Sequence, residues 1–359
     1  MGLKLKEIKK LVGQEVHLKD IDLEFKSGER YVILGRTLAG KTSLLRIMAG
    51  LDRPTTGQVF ADGNDVTGTS VRKRSVAMVY QQFINYPSQT IYDNIASPLK
   101  IQGYDKAEIE KRVNEVANML HIESMLDRLP AELSGGQQQR TAIARALVKD
   151  VDLLLLDEPL VNLDYKLREE LRDELQKIFR ERDSVVVYTT TEPTEALMLG
   201  GNVIVMHEGR VLQVGPTAEV YQNPANTQVA EVFSDPPINF MQGTIRGNTV
   251  SIGDQLTFEP TEAMKALADG EYTFGIRSSQ LSLHRANDEE SCFVGKIGLT
   301  EINGSETFIH FKFGASSIVV QENGVHSYEV GGDVSVYAHP SAFYVFNKED
   351  NLVVSPANA

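Results

Sequence analysis

Gly35-Arg36-Thr37-Leu38-Ala39-Gly40-Lys41-Thr42-Ser43 has the spacing G-x-x-x-x-G-K-[ST]. Backbone amides in such a glycine-rich turn can ring a phosphate. Lys41 supplies a point charge to the outer phosphates, and the Thr42 hydroxyl can ligate Mg²⁺. The plain alternative is an ordinary strand-to-helix turn. Context favours the phosphate loop: Tyr31–Leu34 is a short apolar run, and Thr42–Ala49 has helical spacing, so the loop opens onto a helix N-terminus. Arg36 adds a second positive charge to the loop. Farther on, Asp157-Glu158 end the apolar run Val151–Leu156, which suits a parallel strand buried on both faces. Open α/β sheets bind ligands at the C-terminal ends of their strands. There Asp157 could hold Mg²⁺ through water and Glu158 could polarise an attacking water. Two solvated surface acids are the alternative, and the upstream phosphate loop favours catalysis. A third stretch, Ser134-Gly135-Gly136-Gln137, precedes a helix and leaves amides unpaired at its positive end. That serves plain capping or anion binding.

The elements that must position these residues are legible in outline. Residues 3–34 alternate apolar and polar, as antiparallel strands with one wet face do, and Gly57–Asp65 and Ser75–Tyr80 are strand-like. From Ile91 to Leu129 the spacing turns helical, with Ile109, Val113, Val116 and Leu120 along one stripe. This predicts a helical insertion, about residues 88–150, within an α/β domain. Val185–Tyr188 reads as a further strand, and Val203–Met206 with Val211–Val214 as a hairpin. Phe233-Ser234-Asp235-Pro236-Pro237 reads as a linker, since paired prolines stop regular structure. Beyond it lie short strands, Gly243–Ile252 first among them, punctuated by Asn303-Gly304, Asn323-Gly324 and Gly331-Gly332. They predict a small all-β barrel. The expected division is 1–235 and 236–359, consistent with a chain of 359 residues exceeding one core.

Composition narrows the function classes. A net charge of −13 argues against a nucleic-acid footprint. One cysteine, Cys292, rules out an internal disulfide or a cysteine metal cluster and fits a reducing compartment. The N-terminus MGLKLKEIKK lacks the apolar core of a signal peptide, and no run reaches the ~18 apolar residues of a membrane span.

Taken together, the phosphate loop, Gln81, Leu133-Ser134-Gly135-Gly136-Gln137, LLLLDEP and Leu160-Val161-Asn162-Leu163-Asp164 occur in an order that resembles the nucleotide-binding subunit of an ABC transporter. More narrowly, the chain resembles ATPases of sugar- and glycerol-type bacterial importers. PPINF (236–240), Gly275–Arg277 and INGSETFIH (302–310) resemble the oligomer-binding-fold regulatory domain of that subfamily. The resemblance implies an ABC ATPase domain with a helical insertion, followed by an OB-fold-like domain. It implies ATP and Mg²⁺ as cofactors, with residues 35–43 on the phosphates, Thr42, Gln81 and Asp157 at the metal, and Glu158 and Gln81 catalytic. It also implies that two subunits sandwich ATP head to tail, so that Ser134, Gly135, Gly136 and Gln137 meet the partner's nucleotide, with Asp164 a further nucleotide-binding residue. Permease subunits would dock near Ile84–Leu99, an external solute-binding protein would act indirectly, and the chain would sit peripherally on the cytoplasmic face of the membrane.

Two positions depart from the family pattern. Aligning YTTTEPTEA places Thr191 where relatives carry a switch histidine that bonds the γ-phosphate. Counting back from KDIDL places Val12 where they stack adenine on an aromatic ring. A charge-assisted hydrogen bond is worth ~1.5–3 kcal/mol, or ~10–100-fold in rate when lost from a transition state. The expectation is therefore a chain that binds MgATP, hydrolyses it slowly alone, and completes the site of a second ATPase in an asymmetric dimer. A homodimer with two working sites is the first rival. A soluble ABC protein of DNA repair or translation is a second, disfavoured by the acidic charge. The signature at Ser134 disfavours a P-loop kinase.

Overall fold

The computed structural model describes residues 2–161, 163, 165–180, 182–314 and 316–358. Compact packing divides the chain between Thr217 and Ala218.

The first unit begins with β1 (Leu3–Val12) and β2 (Glu15–Phe25), then β3 (Arg30–Leu34) and α1 (Lys41–Ala49). β4 (Thr56–Ala61), β5 (Asn64–Asp65) and β6 (Val76–Val79) follow. The insertion carries α2 (Ile91–Gln102), α3 (Lys106–Met119) and α4 (Gly135–Leu147). The chain then returns through β7 (Leu153–Asp157), α5 (Tyr165–Arg180), β8 (Val185–Thr190), α6 (Pro193–Leu199), β9 (Asn202–His207) and β10 (Arg210–Pro216). An antiparallel sheet runs β2-β1-β4-β5, and a second sheet runs β10-β9-β3-β8-β7-β6. In the second, β3, β6, β7, β8 and β9 are parallel and β10 is an antiparallel edge. Every residue of β7 and β8 is buried, as unbroken apolar runs in a parallel sheet require. Leu44, Leu45 and Met48 of α1 join Leu5, Ile8 and Phe25 of the first sheet and Ile33, Leu155 and Val187 of the second in one core. The start of α1 is thereby fixed against the ends of β3, β7 and β8.

The helical span expected from Ile91 to Leu129 is two helices. Gly103 (φ 80°) closes α2, and the Asp105 carboxylate accepts the Glu108 amide to begin α3. Such a left-handed closure suits glycine, and a carboxylate N-cap satisfies one of the free amides of the new helix. The stripe Ile109, Val113, Val116 and Leu120 is buried as the spacing predicts.

The second unit is all-β in its core and OB-fold-like. One sheet has the order 256–258, 249–252, 239–246, 270–276, 344–346, 352–354, and the other 281–282, 333–338, 291–303, 306–313, 316–323. Phe274, Phe293, Phe311 and Phe343 lie in the core that both share. The expected strand Gly243–Ile252 is a hairpin, Asn239–Arg246 paired with Thr249–Ile252, because Gly247 turns the chain at φ 53°. The division at 217/218 falls ahead of the expected 235/236. Arg277 ties the segment before the prolines into the β unit: it donates to the carbonyls of Phe233 (3.0 Å) and Tyr221 (2.8 Å). The same guanidinium lies 3.8 Å from the Tyr221 ring centroid.

Candidate functional site

The glycine-rich turn is held at both ends. Gly35 N–H donates to the Thr190 carbonyl (3.3 Å), and Gly209 N–H donates to the Ala39 carbonyl (3.0 Å). A Cβ on Gly35 would lie 2.6 Å from the Met206 carbonyl oxygen, so the close approach of β9 requires glycine. Gly40 caps α1 at φ 97°, and no side chain accepts its first amides. This helix start borders a cleft of about 600 Å³ bounded by Thr37–Ser43, Gln81, Glu158 and the β2 residues Glu15, Val16 and His17. Leu38 is at the tip, 93% exposed.

Lys41 is buried, and its ammonium donates to the carbonyls of Gly35 (2.7 Å) and Arg36 (3.2 Å). It also pairs with Glu158 Oε1 at 3.0 Å. Gln81 Nε2 donates to the other Glu158 oxygen at 3.2 Å. Thr42 Oγ1 donates to Asp157 Oδ1 at 3.1 Å, and burial pushes the Asp157 carboxyl above the usual carboxylate range. Parallel pairing of β3, β8, β7 and β6 thus brings Lys41, Thr42, Gln81, Asp157 and Glu158 together from three separate stretches.

The other expected residues lie elsewhere. Thr191 is half-buried just past the end of β8, beside Gly35 through the Thr190 carbonyl, and it does not line the cleft. The adjoining Glu192 accepts from Arg168 at 2.7 Å. Ser134 and Gly135 are exposed at the start of α4 and Gly136 is buried there; none borders the cleft of its own chain. Ser134 Oγ accepts the Gln137 amide (3.4 Å), and Gln137 Oε1 accepts the Ser134 amide (2.9 Å). Asp164 and Asn162 fall outside the described residues. Val12 ends β1 half-exposed, opposite Glu15 in the hairpin, and the wall of the cleft there is built by Val16 and His17 instead. His17 Nδ1 lies 3.2 Å from Ser43 Oγ. Sequence reasoning missed it, because only its alternation within β2 hinted at which way it faces.

The donor set fits a magnesium nucleotide. Uncapped amides and a buried ammonium suit phosphate. Thr42, Gln81 and Asp157 are oxygen donors of the kind Mg²⁺ takes alongside substrate phosphates and water. Among the described residues no group of three or more His, Cys, Asp or Glu could hold a metal by itself. Mg²⁺ held there with a nucleotide would neutralise charge on the phosphoryl group being transferred. In such a site the loop amides and Lys41 would hold the phosphates, and the Glu158 carboxylate would orient the attacking water. The Lys41–Glu158 pair keeps both charges satisfied until phosphate competes for the ammonium.

Residues 18–161 match the family described as ABC transporter. The sn-glycerol-3-phosphate import ATP-binding protein UgpC of Yersinia enterocolitica is 36% identical over 341 residues, 93% of this chain and 94% of that protein. The uncharacterized ABC transporter ATP-binding protein YcjV of Escherichia coli O6:H1 is 34% identical over 98% of this chain and 99% of its own. Among solved structures, the dimeric post-hydrolysis state of the ATP-binding cassette MJ0796, bound to ADP and Pi, superposes with a TM-score of 0.55 at 32% identity. That match covers 60% of this chain and 98% of the cassette. The chain belongs to the ABC transporter family, as an ATP-binding subunit with the ATPase fold.

Proposed function

We propose that this chain energises a bacterial importer of a polyol or carbohydrate such as glycerol, paired with a second ATPase in an asymmetric dimer at the cytoplasmic face of the membrane. The observation that carries the reading is the uneven content of the strand ends. Lys41, Thr42, Gln81, Asp157 and Glu158 are assembled around one cleft, while Thr191, just past β8, occupies the position that the resemblance aligns with the family's switch histidine. MgATP would be held by residues 35–43, and the start of α4 at Ser134–Gly136 would complete the partner's site. The import of a three-carbon polyol phosphate by the UgpC relative supports the solute class. Permease docking is supported by a groove of about 220 Å³ bordered by Tyr86, Pro98, Ile101 and Arg145, with Ile84 and Ile101 exposed beside it. No helix among the described residues is long and apolar enough to cross a membrane, so the permease would hold the chain there.

The test is to purify the tagged chain with its membrane partners from its host and identify the ATPase subunits by mass. A second ATPase that carries a histidine at the switch position is the expected result. Copies of this chain alone would establish the homodimer, and co-purification with ribosomes or nucleic acid without permease would overturn the transport reading.

A further inference from the structure

We propose that Thr189 is a positioning residue for the two carboxylates that end β7. It is fully buried on β8, directly opposite Asp157 in the parallel register. Its hydroxyl donates to Asp157 Oδ1 at 2.9 Å, while the Leu156 carbonyl lies at 3.5 Å. A hydroxyl has one proton, and the shorter, charged acceptor takes it. The same oxygen accepts the Glu158 amide at 3.0 Å. One side chain therefore fixes two consecutive residues at the strand end.

What it fixes is not ordinary backbone. Glu158 has φ 44°, a left-handed conformation that costs a non-glycine residue ~1–3 kcal/mol and persists where the surroundings determine it. That turn sends the Glu158 carboxylate back to Lys41 and Gln81. Asp157 Oδ1 is shared with the Thr42 hydroxyl, so Thr189, Asp157 and Thr42 form a hydrogen-bonded bridge from β8 across β7 to the first turn of α1. A valine at 189 would fill the same space with the same strand preference and break the bridge. Thr189 touches neither phosphate nor metal. It acts through Asp157 and Glu158, and the inference rests on the magnesium-nucleotide reading of the cleft.

The experiment measures binding of a fluorescent ATP analogue to the purified full chain across a Mg²⁺ titration, for wild type, Thr189→Val, Thr189→Ala and Thr189→Ser. Losing a hydrogen bond to a charged group should raise the Mg²⁺ concentration at half-saturation ~10-fold in the valine and alanine variants. Binding without Mg²⁺ should stay at the wild-type level, and Thr189→Ser should restore the wild-type Mg²⁺ response. The alanine variant keeps the test open if the valine variant fails to fold. An unchanged Mg²⁺ response in either folded variant overturns the proposal. So does an equal loss with and without Mg²⁺, which would make Thr189 a packing residue only. Absence of any Mg²⁺ effect in the wild type would instead overturn the reading of the cleft itself.

Discussion

The starts of α1 and α4 are both helix N-termini preceded by glycine or followed by it, yet they are built in opposite ways. Gly40 closes the phosphate loop in a left-handed conformation, and no side chain caps α1. Its amides stay available inside a cleft whose charges, Lys41 and Glu158, already neutralise each other. Ser134 and Gln137 cap α4 reciprocally, so that end is satisfied as it stands and only the Gly135 and Gly136 amides remain for an outside partner. The two glycines differ as well. A Cβ on Gly136 would strike Leu167 at 2.0 Å, whereas one on Gly135 would meet nothing nearer than Phe83 at 3.9 Å. The first end leaves its donors uncapped beside a cleft of its own chain. The second is a finished surface whose function depends on what is brought to it.

The largest test of that contrast is Gly135→Asp. The site has room for the side chain, and an acid in the first turn suits the helix dipole, so the isolated subunit should fold and bind MgATP normally. In a reconstituted transporter, carboxylate against a partner's phosphate at ~4 Å costs about 4 kcal/mol at an effective dielectric of 20, or ~10³-fold in ATPase rate. Glu158→Gln in the same subunit should cost far less, because it disables a site already slow. Equal, near-total loss from both would break the asymmetry.

Thr191→His sharpens the same contrast from the other side. Restoring a charge-assisted hydrogen bond should raise steady-state turnover of the purified subunit ~10–100-fold. Brisk hydrolysis by the wild type, abolished in Thr191→Ala, would show that the threonine already serves. The smallest effect concerns the α1 end alone. Lys41→Ala should weaken binding of a fluorescent ATP analogue ~10-fold, since it removes the one buried ammonium at the loop and leaves Glu158 facing the phosphates. Unchanged affinity would detach Lys41 from the nucleotide.

Motifs whose function resides in local backbone geometry were legible from residue types alone. A loop that needs Gly35 for close approach and Gly40 for a left-handed turn must carry glycine there, and the buried strand VDLLLL must be apolar on both faces. The helical stripe from Ile109 to Leu120 and the all-β character of the second unit follow from periodicity in the same way. Contacts between distant stretches were not legible. His17 reaches the cleft wall only because β2 passes beside the start of α1, and Val12, five residues earlier, does not line it. Arg277 likewise bonds Tyr221 and Phe233, ahead of the prolines, across tens of residues, and all three lie beyond the division at Thr217. Thr189 is one of three consecutive threonines, indistinguishable in sequence. Parallel register alone sets it opposite Asp157, because side-chain direction alternates along a strand while its partners are chosen by the neighbouring strand.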